Sequence, residues 1–200
     1  MGAGLRVERV TAAHLEGLHA LFEASSSSCY CRYWHFEGNK NEWLDRCAHR
    51  PEENRAELDE AVRADREDGQ GVVAIADDGK VVGWMKLTRR SAVPKLRRLP
   101  VYRSLDLGDE DATLAVGCFL VHPEHRRSGV ARALIDGAER IARERGASAI
   151  EGYPRQSSSP LYDEEAWQGP ERVFLAAGFA HVAGEPPYPV CRKVLRPSKA

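Results

Sequence analysis

Arg126-Arg127-Ser128-Gly129-Val130-Ala131 is the segment whose residue types and spacing carry the clearest chemistry. It follows Val121-His122-Pro123-Glu124-His125 and opens a stretch of helical periodicity. At such a helix start, the backbone N–H groups of residues 127 to 131 lack helical partners, and the positive end of the helix dipole favours an anion such as a pyrophosphate. Gly129 lets phosphates approach the backbone, Ala131 keeps that approach open on the next turn, and Arg126 and Arg127 add charge-assisted contacts. Carboxylates form a second set. Glu151 stands among Ile150, Gly152 and Tyr153, an apolar setting that suits a poised general base, and Asp109, Glu110 and Asp111 compete for that role. The third set is Cys29-Tyr30-Cys31-Arg32-Tyr33-Trp34-His35-Phe36 with Cys47. Its thiols and imidazole are chemically right for zinc, but the spacing lacks a paired C-x₂-C, so no metal is expected. Cys118 reads either as a small core residue or as a proton donor.

These residues must be positioned by a mixed set of elements. Leu5 to Val10 reads as a short strand, and Thr11 as the N-cap of a helix bearing Leu15, Leu18, Leu21 and Phe22, ended by Ser25 to Ser28. Helices are expected over 42–49 and 52–68, parted by Pro51. Segments 71–76 and 81–87 flank Asp77-Asp-Gly-Lys80 and predict an antiparallel hairpin. The basic stretch 88–111, with Pro94 and Pro100, reads as a long connection of a length that usually signals function or mobility. Thr113 to Val121 is near-continuously apolar, the pattern of a strand buried on both faces. A helix over 129–145, stopped by Gly146, and a strand over 147–153 complete a β-α-β crossover. A helix over 170–177 and a strand pair, 179–183 with 190–195, close the chain.

Length and composition bound what this assembly does. Two hundred residues with 42% hydrophobic and 30% charged residues and a net charge of −1 fit one ordinary globular domain, spanning 1–200, with no whole-protein electrostatic partner. No apolar run approaches the roughly 18 residues of a membrane span, and a cytoplasmic location is expected. Five cysteines at 29, 31, 47, 118 and 191 are an odd, sparse set that predicts reduced thiols. A monomer or homodimer is expected.

The sequence resembles the GNAT acyltransferase family, whose signature Arg/Gln-x-x-Gly-x-Gly/Ala follows a central strand ending in Val-x-Pro. Arg126, Gly129, Ala131, Val121 and Pro123 match that pattern, and Val173-Phe-Leu-Ala-Ala-Gly-Phe179 resembles the family's short helix ending in Gly-Phe. The likeness spans roughly residues 5 to 195. It implies the GNAT fold, between the α+β and α/β classes: a mixed central sheet with antiparallel N-terminal strands, a parallel βαβ crossover and flanking helices. It also implies an N-acetyltransferase that moves an acyl group from acetyl-CoA, or another acyl-CoA, directly to an amine in a ternary complex. Carried over to matching positions, the backbone of Phe119 meets the acyl carbonyl and the oxyanion and that of Val121 the pantetheine arm, Leu120 between them belongs to the CoA site, and Arg126, Arg127, Ser128, Gly129, Val130 and Ala131 hold the pyrophosphate. The family's usual tyrosine acid is replaced here by Phe174, which leaves Tyr162, Tyr153, Cys118 or water as the proton source.

In this family the acceptor cleft opens opposite the CoA slot, which nominates Tyr30, Tyr33, Trp34, Phe36 and Trp84 as its wall. An aromatic lining suits a small-molecule amine with apolar or planar parts. Two alternatives stand beside that reading. The cations from Arg89 to Arg103 suit a donor or acceptor tethered to RNA or a carrier protein. The missing tyrosine at 174 suits a non-catalytic acyl-CoA sensor.

Overall fold

The computed structural model describes residues 4–106, 108–157, 159 and 166–195. Strands β1 (Arg6–Arg9), β2 (Gly71–Ile75), β3 (Val81–Arg89), β4 (Thr113–Val121), β5 (Ala149–Gly152), β6 (Ala180–Ala183) and β7 (Val190–Val194) form one sheet in the order β1-β2-β3-β4-β5-β7-β6. Pairing is antiparallel from β1 to β4, parallel between β4 and β5, and antiparallel again through β7 and β6. The expected crossover is made by α5 (Val130–Glu144), whose buried stripe of Val130, Leu134, Ile135, Ala138, Ile141 and Ala142 lies on one face of the sheet. Helices α1 (Leu15–Ala24) and α3 (Pro51–Arg63) cover the other face, with α2 (Lys40–His49) beside them. Helix α6 (Glu171–Ala176) packs beside α5 on β7.

Several boundaries differ from the sequence reading for local physical reasons. Thr11 caps a short 3₁₀ turn, Ala12–His14, before α1 begins. Helix α3 stops at Arg63 rather than running to 68. Asp65 adopts φ 52°, and the Arg66 amide donates back to the Ala61 carbonyl, closing the end in the left-handed manner that aspartate tolerates. The basic connection is not structureless. It holds a 3₁₀ turn at Arg90–Ala92 and α4 (Pro94–Arg98), with Leu96 buried.

Strand β4 carries the feature that positions the site. Met85 pairs with Phe119 and Leu87 with Val116, so Lys86 faces the two residues Gly117 and Cys118: a β-bulge. The extra residue shifts the phase of alternation, and Val116 and Phe119, three apart, both join the core under α5. β5 pairs only with residues 113–116. Beyond the bulge β4 continues without it, and the parallel pair splays open.

Among the cysteines the expectation of reduced thiols fails at one pair: Cys31 and Cys118, 87 residues apart, form a disulfide. It ties the loop after α1 to the bulge in β4. Cys29, Cys47 and Cys191 are free.

Candidate active site

The turn from 126 to 129 is exposed and shaped for close approach. Pro123–His125 form a 3₁₀ turn, Arg127 adopts φ 60° and Gly129 φ 91°, and α5 starts at Val130. A left-handed φ favours glycine at 129, and a side chain built there would meet no protein atom within 4 Å, so the space before these amides is open. The Ser128 hydroxyl donates to the His125 carbonyl and fixes the turn. Val121 and Ala131 are half-buried against the core under α5.

Next to this turn a cavity of about 490 Å³ occupies the splay. It runs from Arg126 past Leu120, Phe119 and the Cys31–Cys118 disulfide to a wall of Tyr33, Trp34, Trp43 and Trp167, with Ser25 to Ser28 and Cys29 at its rim. Tyr33 meets Trp34, Trp43 and Trp167 edge-on at ring separations of 5.8, 5.6 and 5.6 Å. The Trp34 indole N–H donates to the Gly117 carbonyl in the bulge, and a Cβ at 117 would come within 2.9 Å of that ring, so glycine is what lets the tryptophan seat there. Lys95 lies 4.7 Å over the Tyr33 ring.

Of the five aromatics expected to wall the acceptor site, the structure keeps Tyr33 and Trp34 at the cavity and removes three. Tyr30 is buried, stacked on Phe22 at 4.7 Å, and Trp84 is fully buried with its N–H directed to the Cys31 sulfur at 3.3 Å. Phe36 packs on Trp43 behind the wall. Trp43 and Trp167 are the lining residues that sequence reasoning missed. The only signal for Trp167 was a tryptophan inside a Ser/Pro-rich loop.

The backbone of β4 also needs correction. His122 N donates to Val82 O, so the amides of 120 and 122 point toward β3, and those of Phe119 and Val121 point into the splay. The Phe119 amide is not free: it donates to the Trp167 carbonyl at 2.7 Å. The Trp167 carbonyl therefore sits where an acyl carbonyl would have to accept.

Glu151 is held in a way a general base is not. Fully buried, its carboxylate accepts from Arg90 Nη1 at 3.1 Å to each oxygen, from Arg192 Nε at 2.7 Å and from the Tyr153 hydroxyl at 2.8 Å. Two guanidiniums and a phenol occupy its acceptor sites, leaving no lone pair facing the cavity. Burial, then the Glu151 charge, push the Tyr153 phenol well above its ordinary value, so it holds its proton. The competing acids are used locally. Asp109 caps the turn by accepting from the amides of Asp111 and Ala112, and Glu110 pairs with Arg97.

The remaining proton donors also resolve. Cys118, as a disulfide sulfur, has no proton to give. Phe174 is fully buried against Phe119 and Phe179. Tyr162 lies outside the described residues. The cysteine-histidine set is broken up by the same disulfide. His35 is held against Lys86 and Arg32, with burial, then those charges, pushing its pKa down to about 2. Four cations of the basic connection face carboxylates, Arg89 to Glu67, Arg90 to Glu151, Arg97 to Glu110 and Arg98 to Glu37, while Lys95 lies over Tyr33. No helix among the described residues is long and apolar enough to cross a membrane.

A mixed seven-stranded sheet parted at its parallel pair, with an exposed amide turn beside the opening, defines the class as an acetyltransferase fold. The sequence then fixes the family: the model of the GNAT acetyltransferase family matches residues 31–167, well over half of the chain, and the chain belongs to that family. Among solved structures, the PaiA N-acetyltransferase from Thermoplasma acidophilum in complex with coenzyme A is similar at TM-score 0.56 and 11% identity, with 96% of this chain and 99% of that one covered. The GNAT domain of S. lividans PAT is similar at TM-score 0.54 and 20% identity, covering 96% and 90%. The structure of yncA from Salmonella typhimurium with its cofactor acetyl-CoA is similar at TM-score 0.52 and 14% identity, covering 98% and 96%. At these identities the likeness is one of fold. No curated protein sequence matches the chain.

Proposed function

We propose that the cavity in the splay is an acyl-transfer cleft, in which acetyl-CoA or a related acyl-CoA donates to a small-molecule amine with apolar or planar parts. One observation carries this reading. A single cavity joins Arg126 at the amide turn, the backbone of Phe119 and Leu120, and the aromatic wall. The donor lies with its pyrophosphate on the amides of 127–131, where Arg126 and Arg127 add charge, and with its pantetheine arm along Leu120 and Val121. The amine enters against Tyr33, Trp34, Trp43 and Trp167.

In the reaction the neutral amine nitrogen bonds to the acyl carbon, charge collects on the acyl oxygen, and the carbon–sulfur bond breaks. The Phe119 amide serves that oxygen once the Trp167 carbonyl has been displaced, and the Val121 amide lies on the same edge. The ammonium proton released in the attack passes through solvent to the leaving thiolate. Glu151 takes no part in this transfer; it fixes β5 against Arg90 and Arg192.

A thiol-release screen tests the reading. Acetyl-CoA and longer acyl-CoAs are offered with arylalkyl amines, polyamines and amino acids. Turnover is expected to be highest for amines with planar or apolar bodies. Binding of acetyl-CoA without thiol release for any amine would leave the sensor reading in its place, and calorimetry showing no binding of any CoA thioester would overturn both.

A further inference from the structure

We propose that Glu171, His181 and Cys191 form a binding site for a zinc-class divalent cation, where helix α6 meets the closing strand pair β6–β7. It stands independently of the proposed substrate.

Three elements bring the ligands together. His181 on β6 and Cys191 on β7 are direct cross-strand partners, so their side chains share one face of the ladder. Glu171, in the first turn of α6, hangs over that pair because α6 packs on β7. One ligand atom from each lies within 4.8 Å of the others. A tetrahedral shell with metal–nitrogen and metal–oxygen bonds near 2.0 Å and metal–sulfur near 2.3 Å sets its ligand atoms roughly 3.5 Å apart. Small side-chain rotations therefore close the cluster on an ion.

The donor set also selects the ion. Sulfur, imidazole nitrogen and carboxylate oxygen together suit zinc or cobalt, whereas magnesium and calcium prefer all-oxygen shells. An outer partner is already placed: Gln156 Nε2 donates to Glu171 Oε1 at 2.6 Å, as a group that orients a ligating carboxylate would. Gln156 and Glu171 also line an open surface depression with Ser157, Pro186 and Pro187, through which a cation and a fourth, water ligand can enter.

Cation entry changes two bonds. His181 Nε2 and Glu171 Oε1 now share a hydrogen bond of 2.6 Å, which the ion replaces. Cys191 is fully buried and free, its thiol pushed up to about 12 by burial and then by the Glu171 charge. The incoming cation bonds to the Cys191 sulfur in place of its proton, which leaves to solvent, giving a metal thiolate with no change of oxidation state. Bound, the ion ties the start of α6 to the β6–β7 pair. The same helix carries Phe174 against Phe119 at the cleft.

The test is a titration of the metal-free full-length protein with zinc chloride by calorimetry and with cobalt chloride by absorbance. One ion per chain is expected, with a sulfur-to-cobalt charge-transfer band and a higher unfolding temperature. His181→Ala changes an exposed strand residue and is expected to weaken zinc at least tenfold. Cys191→Ala is expected to abolish the band, and Glu171→Gln to weaken binding while leaving the band's energy unchanged. The band is expected to survive in Cys29→Ser/Cys47→Ser, which removes the other two free thiols. Absence of the band, its loss in that double variant, or equal affinity in His181→Ala would overturn the assignment and leave a hydrogen-bonded His–Glu pair beside a core cysteine. The double variant and His181→Ala keep the test decisive even if Cys191→Ala fails to fold.

Discussion

The two halves of β4 present charged and polar groups in opposite ways. Along residues 113–116 the strand is paired on both edges, and Glu151, opposite Ala115 on β5, is sealed from solvent by Arg90, Arg192 and Tyr153. Beyond the bulge at Gly117 and Cys118 the strand loses β5, and its edge opens onto a cavity leading to an exposed amide turn. A carboxylate with every acceptor site filled holds strands together. Donors that face open space are available to a ligand. The half of this strand at the proposed cleft is thus the one that is less completely bonded.

The largest expected effect lies in the tether between the halves. Cys31→Ser/Cys118→Ser removes a cross-link over 87 residues, and chain entropy alone gives a loss of roughly 4.6 kcal/mol in denaturant unfolding. Wild type treated with a dithiol should match the variant, and the variant should ignore the dithiol. Equal midpoints in all three cases would remove the tether from this account.

Glu151→Gln should cost about 3–5 kcal/mol, because it removes the charge partner of the buried Arg90 guanidinium and of the half-buried Arg192. Folded protein of this variant should keep the wild-type pH profile of turnover. A normally stable variant whose turnover loses the acidic, ascending limb of the wild-type pH profile would make Glu151 the base and collapse the contrast between the halves.

On the open half, Gly129→Asp places a side chain and a negative charge before the amides of 127–131. CoA affinity in calorimetry should fall about 100-fold, or ~2.7 kcal/mol, with the circular dichroism spectrum retained. Unchanged affinity would move the donor site elsewhere.

The smallest effect concerns Lys86, buried opposite the bulge with its ammonium donating to the Asp68 carbonyl at 2.6 Å. Burial, then Arg32, lower its pKa from the ordinary 10.5 to about 7. Between those values the unfolded chain binds a proton that the folded one lacks, so this lysine makes stability rise with pH across that window, from its lowest level at and below pH 7. Lys86→Met should flatten the rise, read as a smaller gain in midpoint between pH 7 and about pH 9 than in wild type. An identical gain would mean that the lysine is charged throughout.

Much of the frame was legible in the chain. The apolar run 113–121 has the bounds of β4, because a strand covered on both faces leaves an unbroken hydrophobic stretch. Arg126 to Ala131 opens α5 as its glycine and periodicity require. Tyr33 and Trp34 reach the cavity as nominated. What escaped depends on partners distant in sequence. Glu151 reads as poised when only its neighbours are seen, since Arg90 lies 61 residues before it and Arg192 41 after. The disulfide, and the convergence of Trp43 from α2 and of Trp167 on the Tyr33 ring, are likewise set by the packing of segments distant in sequence, on which local periodicity is silent.

The most direct measurement is a crystal structure with a non-hydrolysable acetyl-CoA analogue. The account predicts the pyrophosphate on the amides of 127–131, the acyl carbonyl at the Phe119 amide with the Trp167 carbonyl displaced from it, and the acyl group directed at Tyr33 and Trp34. A pyrophosphate bound away from that turn, or an acyl group outside the splay with the Phe119–Trp167 hydrogen bond intact, would contradict it.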